Sequence, residues 1–426
     1  MAGKNVCFQR WGRMRILCTG YVNLDAGSVA SANLILLRGL LARGHTVHFF
    51  SKPEFVDPRP WLGKEPGFSF TAVRNQVTSL LFRMMPNAGL LSRLFGMLDA
   101  AGYNRALVAA MVNESQRGSW DLVLWLGEYA RGKCGALPVV SFAQGPPGTD
   151  ARSIYDRRSE MIEACGAWRY ALWKAAAAIR LSPWGLPPLR YSDAILVGSS
   201  ISKKTLVQKY MCEDTQVYAL PYPIDPAAFA ALVRGESDTS TLRLLWLGRM
   251  VPRKRMKLFL EGLLLVIEQG VKVTATVVGQ VSFPEGTERL LENFKYPQAL
   301  HWVRSIPRDQ VPTLLASVDV LVQPSDEENF GSSVAEAQMC GLPVVVGATN
   351  GNADYLSARD TRLADDRAGT LAAVFADYAR RKSTGTMGDP EESRRQAISH
   401  FAPEKVAIEF EGVLQRIVSM PKGKAK

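Results

Sequence analysis

Residues 318–347, VDVLVQPSDEENFGSSVAEAQMCGLPVVVG, constrain the fold more than any other stretch of the chain. Val318, Val320, Leu321 and Val322 form a nearly continuous apolar run, which predicts a strand buried on both faces of a parallel sheet. Residues 324–329 break the run with turn formers and three consecutive acids, Asp326, Glu327 and Glu328. A helical phase follows Gly331, carries Val334, Ala335, Gln338 and Met339, and closes at Gly341 with Pro343 beyond. Residues 344–346 read as the next strand. Such a strand, loop, helix and strand put the acids at a strand's carboxyl end, where open α/β sheets bind ligands.

Gly331 allows close backbone approach, and the helix start behind it offers free N–H groups and a positive dipole end to an anion. Glu328 and Glu336, eight positions apart, could accept hydrogen bonds from two hydroxyl-bearing parts of one ligand. A simpler reading stays open for each. Ser333 and Glu336 have the spacing of a capping box, and Glu328 beside two other acids fits a solvated loop charge.

A second chemical signal lies at Gly248-Arg249-Met250-Val251-Pro252-Arg253-Lys254, after an apolar run at 242–247. A glycine turn there presents Arg249 and Lys254 above a strand end. A forked guanidinium and a compact ammonium suit a diphosphate. Repeated β-α spacing runs through both halves: strands at 14–18, 46–50, 120–125, 137–142 and 193–197, then 242–247, 271–279, 300–303 and 318–322. The expected helices span 30–43, 163–180, 258–268, 310–316 and 403–420, with loops at 226–240 and 385–392. This predicts two Rossmann-like, doubly wound domains. No Gly-x-Gly-x-x-Gly fingerprint follows the first strand, so no dinucleotide cofactor is indicated.

The length of 426 residues suits two or three domains. Six scattered cysteines (Cys7, Cys18, Cys134, Cys165, Cys212 and Cys340) form no Cys-x-x-Cys pair, which points to a reducing cytosol and away from a zinc site. With four histidines and no metal-ligand spacing, no metal is expected. No stretch is long and apolar enough for a transmembrane helix, and no signal peptide is expected. Residues 1–13 read as a disordered tail or an upstream start. Charge is uneven: residues 1–225 hold 26 Lys and Arg against 16 Asp and Glu, the remainder 25 against 24. The basic half faces an anionic partner or is simply a basic surface; nucleic acid is not expected, because no binding motif or aromatic-interleaved basic run accompanies it. The Ala-rich segment 163–180, with Trp168, Trp173, Arg169 and Lys174, reads either as a packed helix or as one touching a membrane.

Glu328-Asn329-Phe330-Gly331, then Glu336-Ala337 and Gly341-Leu342-Pro343-Val344-Val345, resemble the donor motif of family 4 retaining glycosyltransferases (glycosyltransferase group 1). Arg43-Gly44-His45-Thr46-Val47 and Gly248-Arg249 with Lys254 resemble two further motifs of that family. The resemblance covers most of residues 14–420. It implies the GT-B arrangement, two Rossmann-like domains across a cleft: an acceptor domain at 14–225, a linker at 226–240, a nucleotide-sugar domain at 241–400, and a helix at 401–420 packing back on the first domain. It implies transfer of a sugar from a UDP- or GDP-sugar to a glycan, lipid-linked or small-molecule hydroxyl, with retention of configuration and no metal or other cofactor. Arg249 and Lys254 would stabilise the diphosphate, Glu328 the sugar and Glu336 the ribose. The backbone at Asn329, Phe330, Gly331 and Ser332, with Gly248, would line the donor. Gly27 and Ser28 fall where the family often has Gly-Gly near the donor phosphate. Gln144 stands where the family commonly has a histidine near the sugar, and could contact sugar or acceptor. The expected location is cytoplasmic, with peripheral contact to the inner membrane face as an option. An epimerase of the same fold and a catalytically inactive sugar-binding subunit remain the alternatives.

Overall fold

The computed structural model describes residues 12–23, 27–74, 89–229 and 238–420. Of the tail at 1–13 and the linker at 226–240, residues 1–11 and 230–237 lie outside them. A seven-stranded sheet comprises β1 (Arg15–Gly20), β2 (Thr46–Ser51), β3 (Phe68–Ala72), β4 (Leu122–Leu126), β5 (Val139–Phe142), β6 (Ala194–Val197) and β7 (Val217–Ala219), in the order β3-β2-β1-β4-β5-β6-β7. A six-stranded sheet comprises β8 (Leu242–Leu247), β9 (Val273–Val278), β10 (Leu300–Val303), β11 (Val320–Gln323), β12 (Val344–Val346) and β13 (Thr361–Arg362), in the order β10-β9-β8-β11-β12-β13. Pairing is parallel from β3 through β5 and throughout the second sheet. Both orders reverse after their first strand, as in Rossmann folds.

The longer helices are α1 (Ser28–Ala42), α2 (Gly89–Arg117), α3 (Thr149–Asp156), α4 (Arg158–Leu181), α5 (Ser200–Tyr210), α6 (Met256–Glu268), α7 (Ser332–Met339), α8 (Ala368–Ser383), α9 (Pro390–Phe401) and α10 (Pro403–Ser419). By internal packing the chain forms two compact units. One holds residues 1–143, 188–195 and 407–426, the other 144–187 and 196–406.

In the first unit, Leu17, Phe50, Val123 and Trp125 build a core with Met111 of α2. His45 Nδ1 accepts the Met14 N–H at 2.9 Å, so Nε2 carries the ring proton and donates to Glu411 of α10 at 3.0 Å. Phe410 of α10 lies 5.9 Å from Phe142. In the second unit, Trp246, Val277 and Val322 meet Phe259 of α6 and Phe375 of α8, all fully buried. Each such side chain contributes roughly 1.5–3 kcal/mol.

One expectation is overturned here. Residues 385–392, read as a loop, contain the start of α9. Asp389 accepts the Glu391 N–H at 2.9 Å and Pro390 takes the first helical position, so a strong N-terminal signal ends the loop early.

Candidate functional site

β8 and β11 are neighbours in register, Val320 beside Leu244 and Leu321 beside Leu245, so the loops leaving their carboxyl ends emerge side by side. After β8 the chain turns at Gly248 (φ 157°) and closes a short 3-10 turn over Pro252–Lys254. After β11 the loop 324–331 runs alongside it, where the Asp326 N–H donates to the Arg253 carbonyl at 2.7 Å.

Between the two loops lies Glu328. Arg253 donates to its carboxylate at 2.9 Å, and Lys254 forms a second ion pair with it. Burial alone would raise the Glu328 carboxyl, but the two cations outweigh it and hold the group down at about 2. One carboxylate serves both cations, so Lys254 gains less than Glu328 does. Burial lowers the lysine, Glu328 offsets part of that, and Arg253 adds to it. For Arg253 the burial penalty is overcome by Glu328 and by Asp150, and its pKa rises. Asp150 comes from the first turn of α3, 2.6 Å from Arg253 and 3.6 Å from Arg249.

These groups wall a polar cavity of about 440 Å³, lined among others by Gln144, Asp150, Arg180, Arg249, Arg253 and Glu328. Arg249 stands at its rim with 61% of its side chain exposed, whereas Lys254 is buried behind Glu328. Gln144 is exposed. Arg253 and Asp150 were missed in the sequence. The only signal for Arg253 was its place in the Gly248–Lys254 segment, and nothing in the local sequence marks Asp150.

The acids beside Glu328 are also paired rather than solvated. Asp326 meets Arg157 at 2.6 Å and Arg255 at 3.4 Å; Glu327 meets Lys209 at 2.6 Å and Arg152 at 2.7 Å. Burial would raise the Glu327 carboxyl, but Lys209 and Arg152 bring it below the ordinary value. Its backbone is left-handed, φ 43°.

Asn329 and Phe330 turn their side chains inward. Asn329 Oδ1 accepts the Gly198 N–H at 3.0 Å and its Nδ2 donates to the Tyr222 hydroxyl at 2.9 Å, although the residue borders the cavity. Phe330 is buried against Tyr222, Tyr355 and Phe401, ring centroids 5.1–6.4 Å apart. The Phe330 ring is thereby withdrawn from any ligand. Gly331 (φ 78°) is the N-cap of α7, and a Cβ there would lie 2.9 Å from Asn350 Oδ1, so glycine is required. Ser332 opens α7, whose first N–H groups have no intrahelical acceptor.

Glu336 does not cap that helix. Ser333 lies inside it, with its hydroxyl taken by Gln323 at 2.7 Å, and no side-chain cap forms. Glu336 is buried and pairs with Arg308 at 3.1 Å, apart from the residues that line the cavity. Burial raises its carboxyl and Arg308 offsets only part of the rise. Gly27 (φ 95°) and Ser28 start α1 in the first unit, where a side chain on Gly27 would meet open space.

Residues 234–381 match the model of the family "Glycosyl transferases group 1". The matched residues fall within the second unit. A D-inositol 3-phosphate glycosyltransferase of Thermomonospora curvata is 26% identical over 181 residues, 38% of this chain and 42% of that protein. The phosphatidylinositol N-acetylglucosaminyltransferase gpi3 subunit of Schizosaccharomyces pombe is 27% identical over 141 residues, 32% of this chain and 31% of that protein. These matches span less than half the length of either relative. The crystal structure of Anabaena Alr3699/HepE in complex with UDP-glucose superposes with a TM-score of 0.62 at 16% identity, over 95% of this chain and all of the other. The fold is that of GT-B glycosyltransferases, two parallel-sheet Rossmann-like domains.

Proposed function

We propose that the chain is a family 4 glycosyltransferase that moves a sugar from a nucleotide-diphospho-sugar to an acceptor hydroxyl, with retention of anomeric configuration. The observation that carries this reading is one polar cavity in the second unit where Arg249, Arg253 and Glu328 meet, with Lys254 against Glu328. Within the ion-paired set beside it, Arg249, Arg253 and Lys254 outnumber Asp150 and Glu328 by one charge. A diphosphate entering there takes hydrogen bonds from Arg249 and Arg253. Lys254 then holds the charge that develops as the sugar–phosphate bond breaks, without a metal.

In this reading Glu328 orients sugar hydroxyls, and Glu336 receives the ribose. The backbone at 330–332 and the α7 N-terminus meet donor oxygens. Gln144, exposed at the cavity wall, contacts sugar or acceptor as a hydrogen-bond partner without acting as a base. The inositol-phosphate and phosphatidylinositol transferases among the relatives support a phosphorylated or lipid-linked polyol as acceptor.

The test is a screen of purified protein against UDP- and GDP-sugars with such acceptors. Acceptor-dependent release of free nucleotide, with NMR showing a product of unchanged anomeric configuration, is expected. A sugar epimerised while still on its nucleotide, or binding without turnover with every donor, would overturn it.

A further inference from the structure

We infer that α4 and the turn behind it form a docking face for an anionic lipid bilayer. Trp168, Leu172 and Ile179 of α4 are 72%, 53% and 63% exposed, and Trp184 in the following turn is 97% exposed. Among the described residues, these are half of the eight large hydrophobic side chains that stand in water. Singly exposed apolar residues are ordinary, but a cluster on one element marks a contact surface.

The placement is regular. At about 100° per residue, Trp168, Leu172 and Ile179 fall within an arc of roughly 40°. Arg169 and Arg180 lie on one flank of that stripe, about 80° and 100° from its centre, and Lys174 on the other, about 140° from it. The opposite face is already occupied. Tyr170 and Ala177 are buried with Ile154 and Met161, and Trp173 stacks on Phe283 with ring centroids 5.2 Å apart. The exposed stripe is therefore surplus to the packing of the unit. Gly166 (φ 81°) breaks the helix just before it, so the stripe runs on its own axis from Ala167 onward.

The charge favours a phosphate-bearing surface. Residues 164–192 contain Arg169, Lys174, Arg180 and Arg190 and no acid. Arg169 has one loose partner, Glu285 at 3.5 Å, and both side chains are more than half exposed. An apolar stripe with tryptophan at its ends and cations along both flanks is how a helix lies in a headgroup layer. It lies there without crossing: no helix among the described residues is long and apolar enough to span a membrane.

The same element reaches the cavity. Arg180, Gly185, Leu186 and Pro187 help to line it, so a bilayer under α4 brings lipid headgroups to the rim of the site. The inference does not depend on the proposed reaction, because lipid binding is read without turnover.

The experiment is co-flotation of the full chain with vesicles of phosphatidylcholine alone and of phosphatidylcholine mixed with phosphatidylglycerol. The wild-type chain should float with the mixed vesicles, and less so as salt rises. The double variant Trp168→Ser/Ile179→Ser should lose at least about tenfold in vesicle affinity, and Lys174→Glu severalfold, with unchanged circular dichroism and melting. Both tryptophan and lysine changes are on exposed positions, so folding should survive. No flotation of the wild type would overturn the proposal. So would equal flotation of the double variant, which would assign binding to the general basic charge of the chain. Self-association abolished by the same variant, without vesicle binding, would assign the face to a second copy instead.

Discussion

Glu328 carries two opposing demands, and their sum sets its pH behaviour. Its carboxyl falls from an ordinary 4.5 to about 2 because Lys254 and Arg253 outweigh burial. A depressed carboxyl stabilises the fold above its unfolded value and loses that contribution as pH falls from about 4.5 towards 2, here of the order of 3 kcal/mol. Glu328→Gln should therefore lower the urea-unfolding free energy at pH 7 by roughly that amount, and the gap from wild type should narrow markedly at pH 3. A gap of constant size would show that the ion pairs do not hold Glu328 ionised. Lys254→Ala should cut turnover by about 10²–10³-fold with little effect on donor KM, since its charge matters most when the bond breaks. Glu336 separates a ribose ligand from a structural acid. Its burial already disfavours the charge, so Glu336→Gln should leave the melting temperature near wild type. Donor KM should rise about tenfold, through one lost charge-assisted hydrogen bond, with kcat little changed. An unchanged KM would remove Glu336 from the donor site.

At the scale of elements, the loop after β11 is a tie as much as a binding loop. Asp326, Glu327 and Glu328 reach in turn to Arg157 at the start of α4, to Arg152 in α3 and Lys209 in α5, and to the 248–255 segment. These partners fix the α3–α4 wall of the cavity to the ends of β8 and β11. Glu327 bears the strain of that geometry, a left-handed φ of 43° on a residue with a Cβ. Alanine and glycine both remove its two ion pairs, but only glycine relieves the backbone. Glu327→Gly should thus unfold about 1 kcal/mol later than Glu327→Ala, against the usual order of the two residues. Equal stability in denaturant titrations would show that the strain is not carried there.

At the scale of the molecule, what the sequence revealed was what depends on neighbours along the chain. β8 and β10 begin and end where their apolar runs do, and Gly331, Gly341 and Pro343 bracket α7 because helix ends are set by local backbone geometry. β13 has two residues and no readable pattern. The Asp150–Arg253 pair joins positions 103 residues apart, and no local signal announces it. Charge obeys the same division. The unit built from 1–143, 188–195 and 407–426 holds 21 Lys and Arg against 11 Asp and Glu, while the unit with the cavity holds 30 against 29. The surplus positive charge of the ion-paired set at the cavity is thus local, made by Arg249, Arg253 and Lys254 against Asp150 and Glu328 rather than by the field of the whole unit. That has a consequence for metal dependence. The acids nearest the cavity, Asp150, Glu327 and Glu328, are each bound to at least one Arg or Lys, and a divalent ion would have to displace those cations to coordinate. If the three cations neutralise the leaving diphosphate, as proposed, turnover should be unchanged in excess EDTA. A loss of more than about tenfold that Mg²⁺ or Mn²⁺ restores would mean that the acids release their partners to a metal, and that the cationic clamp is not what stabilises the leaving group.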